Sequence, residues 1–142
     1  MKLVVDASTL VAELVRARGR RLFERPDLQL MVSQHAWVEA RRHLAHRATE
    51  LKKRLDPGAV DELIESAHDL VDRQFVVVPV NLYSSHEGIA RKRVRDETDW
   101  PTVALALTTQ SAILTNDPDF LGSGIATWTY DTLAAELERQ DG

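Results

Sequence analysis

The sequence predicts an α/β protein in which a central, mostly parallel β-sheet is flanked by α-helices. Three observations predict it. Short apolar runs of strand length alternate along the chain with segments of helical periodicity. The clearest of these runs, Leu3-Val4-Val5 and Phe75 to Val80, lack polar alternation, as strands buried on both faces do. Finally, 142 residues with 44% hydrophobic content suffice for one core without disulfide or metal staples, so residues 1–142 read as a single domain. No internal repeat, low-complexity tract or linker interrupts it.

In chain order, a strand over residues 2 to 5 leads into a helix starting near Ser8, a good cap, through Leu10, Val11, Leu14 and Val15. Gly19 reads as a break. Arg20 to Glu24 forms a second amphipathic piece ending before Pro26, and Leu28 to Val32 another strand. Ser33 caps a long helix that carries Glu39, with Ala36, Ala40 and Leu44 at helical spacing. Asp56-Pro57 starts the next helix, with Val60, Leu63, Ile64, Ala67, Leu70 and Val71 on one apolar face. The strand Phe75 to Val80 follows, then a helix from Ser84 or Ser85 toward Val94. Asp96 to Asp99 makes an acidic turn before the apolar helix Val103 to Leu107. Ala112 to Leu114 and Ile125 to Trp128 are the last strands, joined by a loop with Pro118, Gly122 and Gly124. Asp131 or Thr132 caps a short final helix.

Composition removes several kinds of chemistry. Cysteine is absent, so disulfides, thiolate zinc sites and thiol nucleophiles drop out. No apolar run approaches membrane-spanning length and the N-terminus does not resemble a signal peptide; no membrane association and a cytoplasmic protein are expected. The net charge of −4 hides an asymmetry: residues 96 to 142 hold nine acids and one base, Arg139, while the first 95 residues are net basic. Basic residues bunch at Arg16 to Arg25, Arg41 to Arg47, Lys52 to Arg54 and Arg91 to Arg95. An acidic centre flanked by basic surface suits a metal-dependent enzyme acting on a polyanion. Solvated helix faces are the plainer account of any one cluster.

Four motifs carry the chemistry. Asp6 follows a buried strand and precedes the small residues Ala7, Ser8 and Thr9. Glu39 lies on the long helix beside its apolar stripe. Asp96-Glu97-Thr98-Asp99-Trp100-Pro101 places three acids within four positions ahead of an apolar helix, where capping explains only one of them. Thr115-Asn116-Asp117-Pro118-Asp119-Phe120 follows the strand Ala112 to Leu114 and is the most specific segment. Strand ends of a parallel sheet are where ligands bind. Carboxylates crowded there repel one another and take up protons unless a hard cation with oxygen preference neutralises them, which suggests magnesium or manganese. The five histidines are not needed for such chemistry; His43 and His46, at helical spacing, lack a third ligand and read as surface.

Taken together, in this order and with these spacings, the motifs resemble the PIN domain family, and specifically the VapC-like ribonuclease toxins of prokaryotic toxin–antitoxin pairs. The resemblance covers essentially the whole chain and implies one PIN-like domain. The family's four catalytic, metal-holding acids fall on Asp6, Glu39, Asp99 and Asp117. Asp96 and Asp119 match accessory acids, Ser8 and Thr115 the small polar positions, and Ile125 to Thr129 the final strand. Many members carry Asn where this chain has Ser8. Asp96 and Asp99 compete for one ligand position; Asp99 is preferred because it immediately precedes Trp100-Pro101. The resemblance implies hydrolysis of RNA phosphodiesters with Mg2+ or Mn2+, leaving 5′-phosphate and 3′-hydroxyl ends. It also implies a VapB-like antitoxin presenting an Arg to the acids, and a homodimer, for which the apolar faces near Leu10 to Val15 and Val60 to Val71 are candidates. Rival readings are an aspartyl-nucleophile phosphatase or a receiver domain, each lacking its second early Asp here, a PIN nuclease outside toxin–antitoxin pairs, and a PIN-like scaffold whose acids only cap helices.

Overall fold

The computed structural model describes residues 1–142. Its five strands, β1 (Lys2–Val5), β2 (Gln29–Ser33), β3 (Phe75–Val78), β4 (Ala112–Leu114) and β5 (Thr127–Trp128), form one sheet in the order β3-β2-β1-β4-β5. Every neighbouring pair is parallel. The chain moves outward from β1 through β2 to β3, then returns to the other side of β1 for β4 and β5. The direction of winding reverses between β1 and β4, and such a reversal opens a crevice at the carboxyl ends of the two strands.

Seven helices cover the sheet: α1 (Ala7–Leu14), α2 (Ala17–Phe23), α3 (Gln34–Leu51), α4 (Pro57–Gln74), α5 (Glu87–Arg93), α6 (Trp100–Thr109) and α7 (Tyr130–Asp141). Side-chain alternation along the strands separates two cores. Leu3 and Val5 of β1, with Leu30, Val32 and Leu114, face a core shared with α1, α2, α3, α4 and α7. Val4 and Ile113 face the opposite core, built on α6 with Tyr83 and Ala90. Leu10, Val11, Leu14, Val60, Ala67, Leu70 and Val71 are buried within the chain, while Val15, Leu63 and Ile64 of the same candidate helix faces stay partly exposed.

Several boundaries differ from the sequence expectation. Asp6, rather than Ser8, caps α1: its Oδ1 accepts the Thr9 N–H at 3.2 Å. Gly19 lies inside α2, and the break falls earlier, at Val15 and Arg16. Glycine is required there because a Cβ would collide with the carbonyl and Cβ of Glu13. Glu13 itself is fully buried, held by a two-pronged bond from Arg18 Nε and Nη2, each 3.1 Å. Pro79, which has no N–H to donate, ends β3 after four residues, and short 3-10 turns precede α5. Ile125 and Ala126 stay outside β5. The last helix is longer than expected and is capped by Thr129, which exchanges hydrogen bonds with Thr132. Ser33 and Asp56 cap α3 and α4 as expected.

Candidate active site

The crevice between β1 and β4 is walled by acids. Asp6 ends β1 and is 4% exposed. Its Oδ2 accepts from Ser8 Oγ at 3.1 Å, while Oδ1 is held by the start of α1. Burial pushes its carboxyl above the ordinary 3.8, against the pull of hydrogen bonds from Thr9, Ser8 and Thr115. Asp117 leaves β4 through Thr115, whose buried Oγ1 accepts the Asp117 N–H at 3.0 Å. Asp117 Oδ1 in turn accepts the Asp119 N–H at 2.9 Å, capping a 3-10 turn over Pro118–Phe120 and leaving Oδ2 without an intramolecular donor. Asp119, half-buried, sits on that turn.

Asp99 is the electrostatic centre. It immediately precedes α6, whose first residue, Trp100, is buried against the rings of His35 and Tyr83 and lies under the Arg91 guanidinium. With its neighbouring side chain anchored in this way, Asp99 is held half-buried with no cap hydrogen bond of its own. Burial, then the charges of Asp96, Asp117, Asp6 and Glu39, in that order, push its carboxyl from 3.8 to about 7. These are five acids from four separate stretches of sequence, and the fold puts them within electrostatic reach of one another. Asp96 plays a different part: exposed, it spends Oδ1 on both the N–H and the hydroxyl of Thr98, at 3.0 and 2.9 Å, and those bonds draw its carboxyl below the ordinary range. Between the two competing acids, Asp99 has the free, charge-stressed carboxylate and Asp96 is committed to a turn.

One residue on this edge escaped the sequence reading. Thr9 is 2% exposed, and its Oγ1 accepts the Asn116 N–H at 3.0 Å while its own N–H holds Asp6. Asn116 Oδ1 then accepts the Tyr130 N–H at 3.0 Å, tying the loop to the start of α7. Thr9 therefore adds a side-chain tie between the Asp6 and Asp117 loops beyond the backbone pairing of β1 with β4. The only sequence signal was a hydroxyl beside Ser8, which does not distinguish a clamp from a helix-start residue.

No three His, Asp or Glu side chains are gathered closely enough to cage an ion by themselves. Magnesium is commonly held by one or two carboxylates together with waters and substrate phosphate, so it does not demand such a cage. The donors available are all hard oxygens, and an acid pushed to about 7 by burial and by the charge of its neighbours is relieved by a cation. The donor set fits a hard divalent ion.

A model of the PIN domain family matches residues 4–138. The chain belongs to the PIN domain family. PIN domains are generally nucleases, and a nuclease is the activity that membership supports. No curated protein matches in sequence. Among solved structures, PAE2754 from Pyrobaculum aerophilum superposes with a TM-score of 0.69 at 20% identity, covering 99% of this chain and 91% of that one. VapBC2 from Rickettsia felis, bound to a DNA fragment from their promoter, gives 0.62 at 11% identity over 91% and 98% of the two chains. VapBC-1 from nontypeable Haemophilus influenzae gives 0.57 at 14% identity over 92% and 99%. At these identities the likeness is one of fold. No helix of this PIN domain is long and apolar enough to cross a membrane.

Proposed function

We propose that this PIN domain is a metal-dependent endoribonuclease and the VapC-like toxin of a toxin–antitoxin pair, cutting RNA at the crevice between β1 and β4. The observation that carries this reading is Asp99, kept half-buried beside four other acids with nothing inside the chain to neutralise it. A purely structural role offers no reason to keep that arrangement. Asp6, Asp99 and Asp117, with Glu39 directly or through water, would hold Mg2+ or Mn2+. Such an ion supplies Lewis acidity toward water and phosphate oxygens when bound. The chain's own residues prepare the place: Ser8 and the Thr9 N–H fix the Asp6 carboxylate, Thr115 aims the Asp117 loop, and Thr9 ties the two together. Asp119 and Asp96 are accessory, the first through its N–H on Asp117 and the second through its charge on Asp99.

A VapB-like antitoxin is the partner this reading calls for, and the VapBC neighbours support it. An Arg offered by such a partner would meet five acids lacking an internal cation, which is favourable electrostatically. A homodimer would draw on exposed apolar residues such as Leu82 and Ile89, or on the partly exposed Val15, Leu63 and Ile64 of the candidate helix faces.

The scaffold reading has one observation on its side: Asp6, Asp96 and Asp117 each cap a helix or turn. Cleavage of a mixed cellular RNA pool with Mg2+, with Mn2+ and with EDTA separates the two. Cuts that require metal and vanish in Asp117→Asn are expected. Cuts that persist in both Asp6→Asn and Asp117→Asn, in preparations free of contaminating ribonuclease, would overturn the site, and thermal stability indifferent to metal would favour the scaffold.

A further inference from the structure

Two histidines of α3 lie on a path that starts at the acids. Glu39, His43, His46 and Arg47 stand at i, i+4, i+7 and i+8, one stripe of a helix. From Glu39, His43 is about 6 Å along the helix axis and His46 and Arg47 about 10–12 Å. His43, His46 and Arg47 line a cavity of about 350 Å³ with Ser8 and Val11 of α1. Ser8 also lines a second hollow, about 240 Å³, with Thr9, Ala12, Asn116 and Asp117. Ser8, whose hydroxyl bonds Asp6, therefore lines both hollows.

The polar side chains of this stripe are also free. Most basic side chains near an acid are tied to it: Arg25 to Asp27 and Asp141, Lys52 to Asp61, Arg73 to Glu24, Arg91 to Glu87 and Arg139 to Glu136. His43, His46 and Arg47 have no hydrogen-bond or ion-pair partner in the chain, and no acid lines their cavity. A polyanion approaching a ring of carboxylates is repelled unless adjacent donors hold its phosphates, and imidazole and guanidinium N–H groups make charge-assisted bonds to phosphate. We propose that the groove formed by His43, His46 and Arg47 against Ser8 and Val11 binds the sugar-phosphate backbone of single-stranded RNA on one side of the bond to be cut. This rests on the ribonuclease reading and assigns the groove the flanking phosphates rather than the reacting one.

Binding is measured on the full chain carrying Asp117→Asn, in EDTA, by fluorescence anisotropy with a labelled mixed-sequence RNA of about 20 nucleotides, longer than the footprint of one small domain. Adding His43→Gln, His46→Gln and Arg47→Gln together is expected to weaken binding about tenfold. It should also reduce the slope of log affinity against log salt by about 0.7 for every phosphate that is no longer neutralised. Arg21→Gln with Arg54→Gln, which removes exposed charge elsewhere, should change both far less. In the active chain the triple variant should raise KM more than it lowers kcat. All three side chains are exposed, so the fold should survive; if the triple variant melts early, Arg47→Gln alone is used and must weaken binding in the same sense. Equal binding by the triple variant overturns the groove, as does an equal loss in the control, which would leave only general charge. Failure of the parent to bind the RNA overturns it too, while metal-dependent cleavage of the RNA pool decides the nuclease reading separately.

Discussion

Replacing Asp99 by Asn should stabilise this protein in the absence of metal, by an amount that grows as pH rises from about 4 to about 7. The folded state raises the Asp99 carboxyl from 3.8 to about 7. Between those values the folded chain keeps a proton that the unfolded chain has released, so stability falls as pH rises through the window and levels off above about 7. At about 1.36 kcal/mol per pH unit the displacement amounts to a ceiling of about 4 kcal/mol. Asp99 is partly exposed, and screening by solvent and salt leaves about half of that, about 2 kcal/mol. For a domain of this size about 3 °C accompanies each kcal/mol, so Asp99→Asn should melt about 6 °C above wild type at pH 8 in EDTA. At pH 5 the folded carboxyl still holds its proton while the unfolded one has largely lost it, so only about 1.2 of the roughly 3.2 pH units of the window have been crossed and the difference should shrink to about 2 °C on the same scale. Added Mg2+ should raise the wild-type melting temperature at pH 8 and close much of the gap. Thermal melts of both proteins at the two pH values, with and without metal, test this. An Asn variant less stable than wild type at pH 8, or a gain that is the same at both pH values, would refute the electrostatic account of Asp99.

Further outcomes follow from the same geometry. Asp6→Asn and Asp117→Asn should each abolish metal-dependent cleavage while keeping cooperative unfolding, and Asp6→Asn should share the pH-dependent stabilisation because burial raises that carboxyl as well. Thr9→Val removes the acceptor for the Asn116 N–H and should lower kcat about tenfold with little change in KM, because misplacing groups around a reacting centre costs rate more than affinity; Thr9→Ser should restore most of the rate. Gly19→Ala forces a Cβ into the Glu13 backbone and should cost about 3 kcal/mol, read as a fall of about 9 °C in melting temperature.

Strand positions and two of the helix starts were legible because they rest on local chemistry. Apolar runs without alternation mark buried strands, and Ser33 and Asp56-Pro57 cap α3 and α4 through hydrogen bonds three residues away. Gly19 misled because local propensity says break, whereas the helix is retained and the glycine serves a close approach to Glu13 that only tertiary structure creates. The start of α1 was misplaced by two residues for a related reason: Ser8 and Asp6 are both good caps, and the strand end decides between them. The grouping of Asp6, Glu39, Asp96, Asp99 and Asp117 was legible through the family pattern. The Thr9 clamp was not, since its partner Asn116 is 107 residues away. His43 and His46 were discounted for want of a third metal ligand, a sound argument against a metal site that does not bear on phosphate.

Capping and ion binding are usually weighed as alternatives for an acid at a strand end, but here they are compatible at the level of single oxygens. A carboxylate that caps through one oxygen is fixed in direction and still offers the other. Asp117 does this, with Oδ1 on the Asp119 N–H and no donor on Oδ2. Asp6 uses Oδ1 on Thr9, and its Oδ2 takes the exposed hydroxyl of Ser8, which can rotate or yield to an ion. Asp96 lacks the other half of the arrangement: it caps firmly but lies on the surface, where it adds its charge to Asp99 without being buried itself. Asp99 is the reverse, crowded and uncapped, held in place instead by the packing of Trp100. The backbone geometry that terminates β1 and β4 therefore aims the acids, and the fold's reversal of winding brings them together. Losing either the cap or the crowding should disable the site by different routes, the first through disorder of a ligand and the second through loss of the charge that attracts the ion.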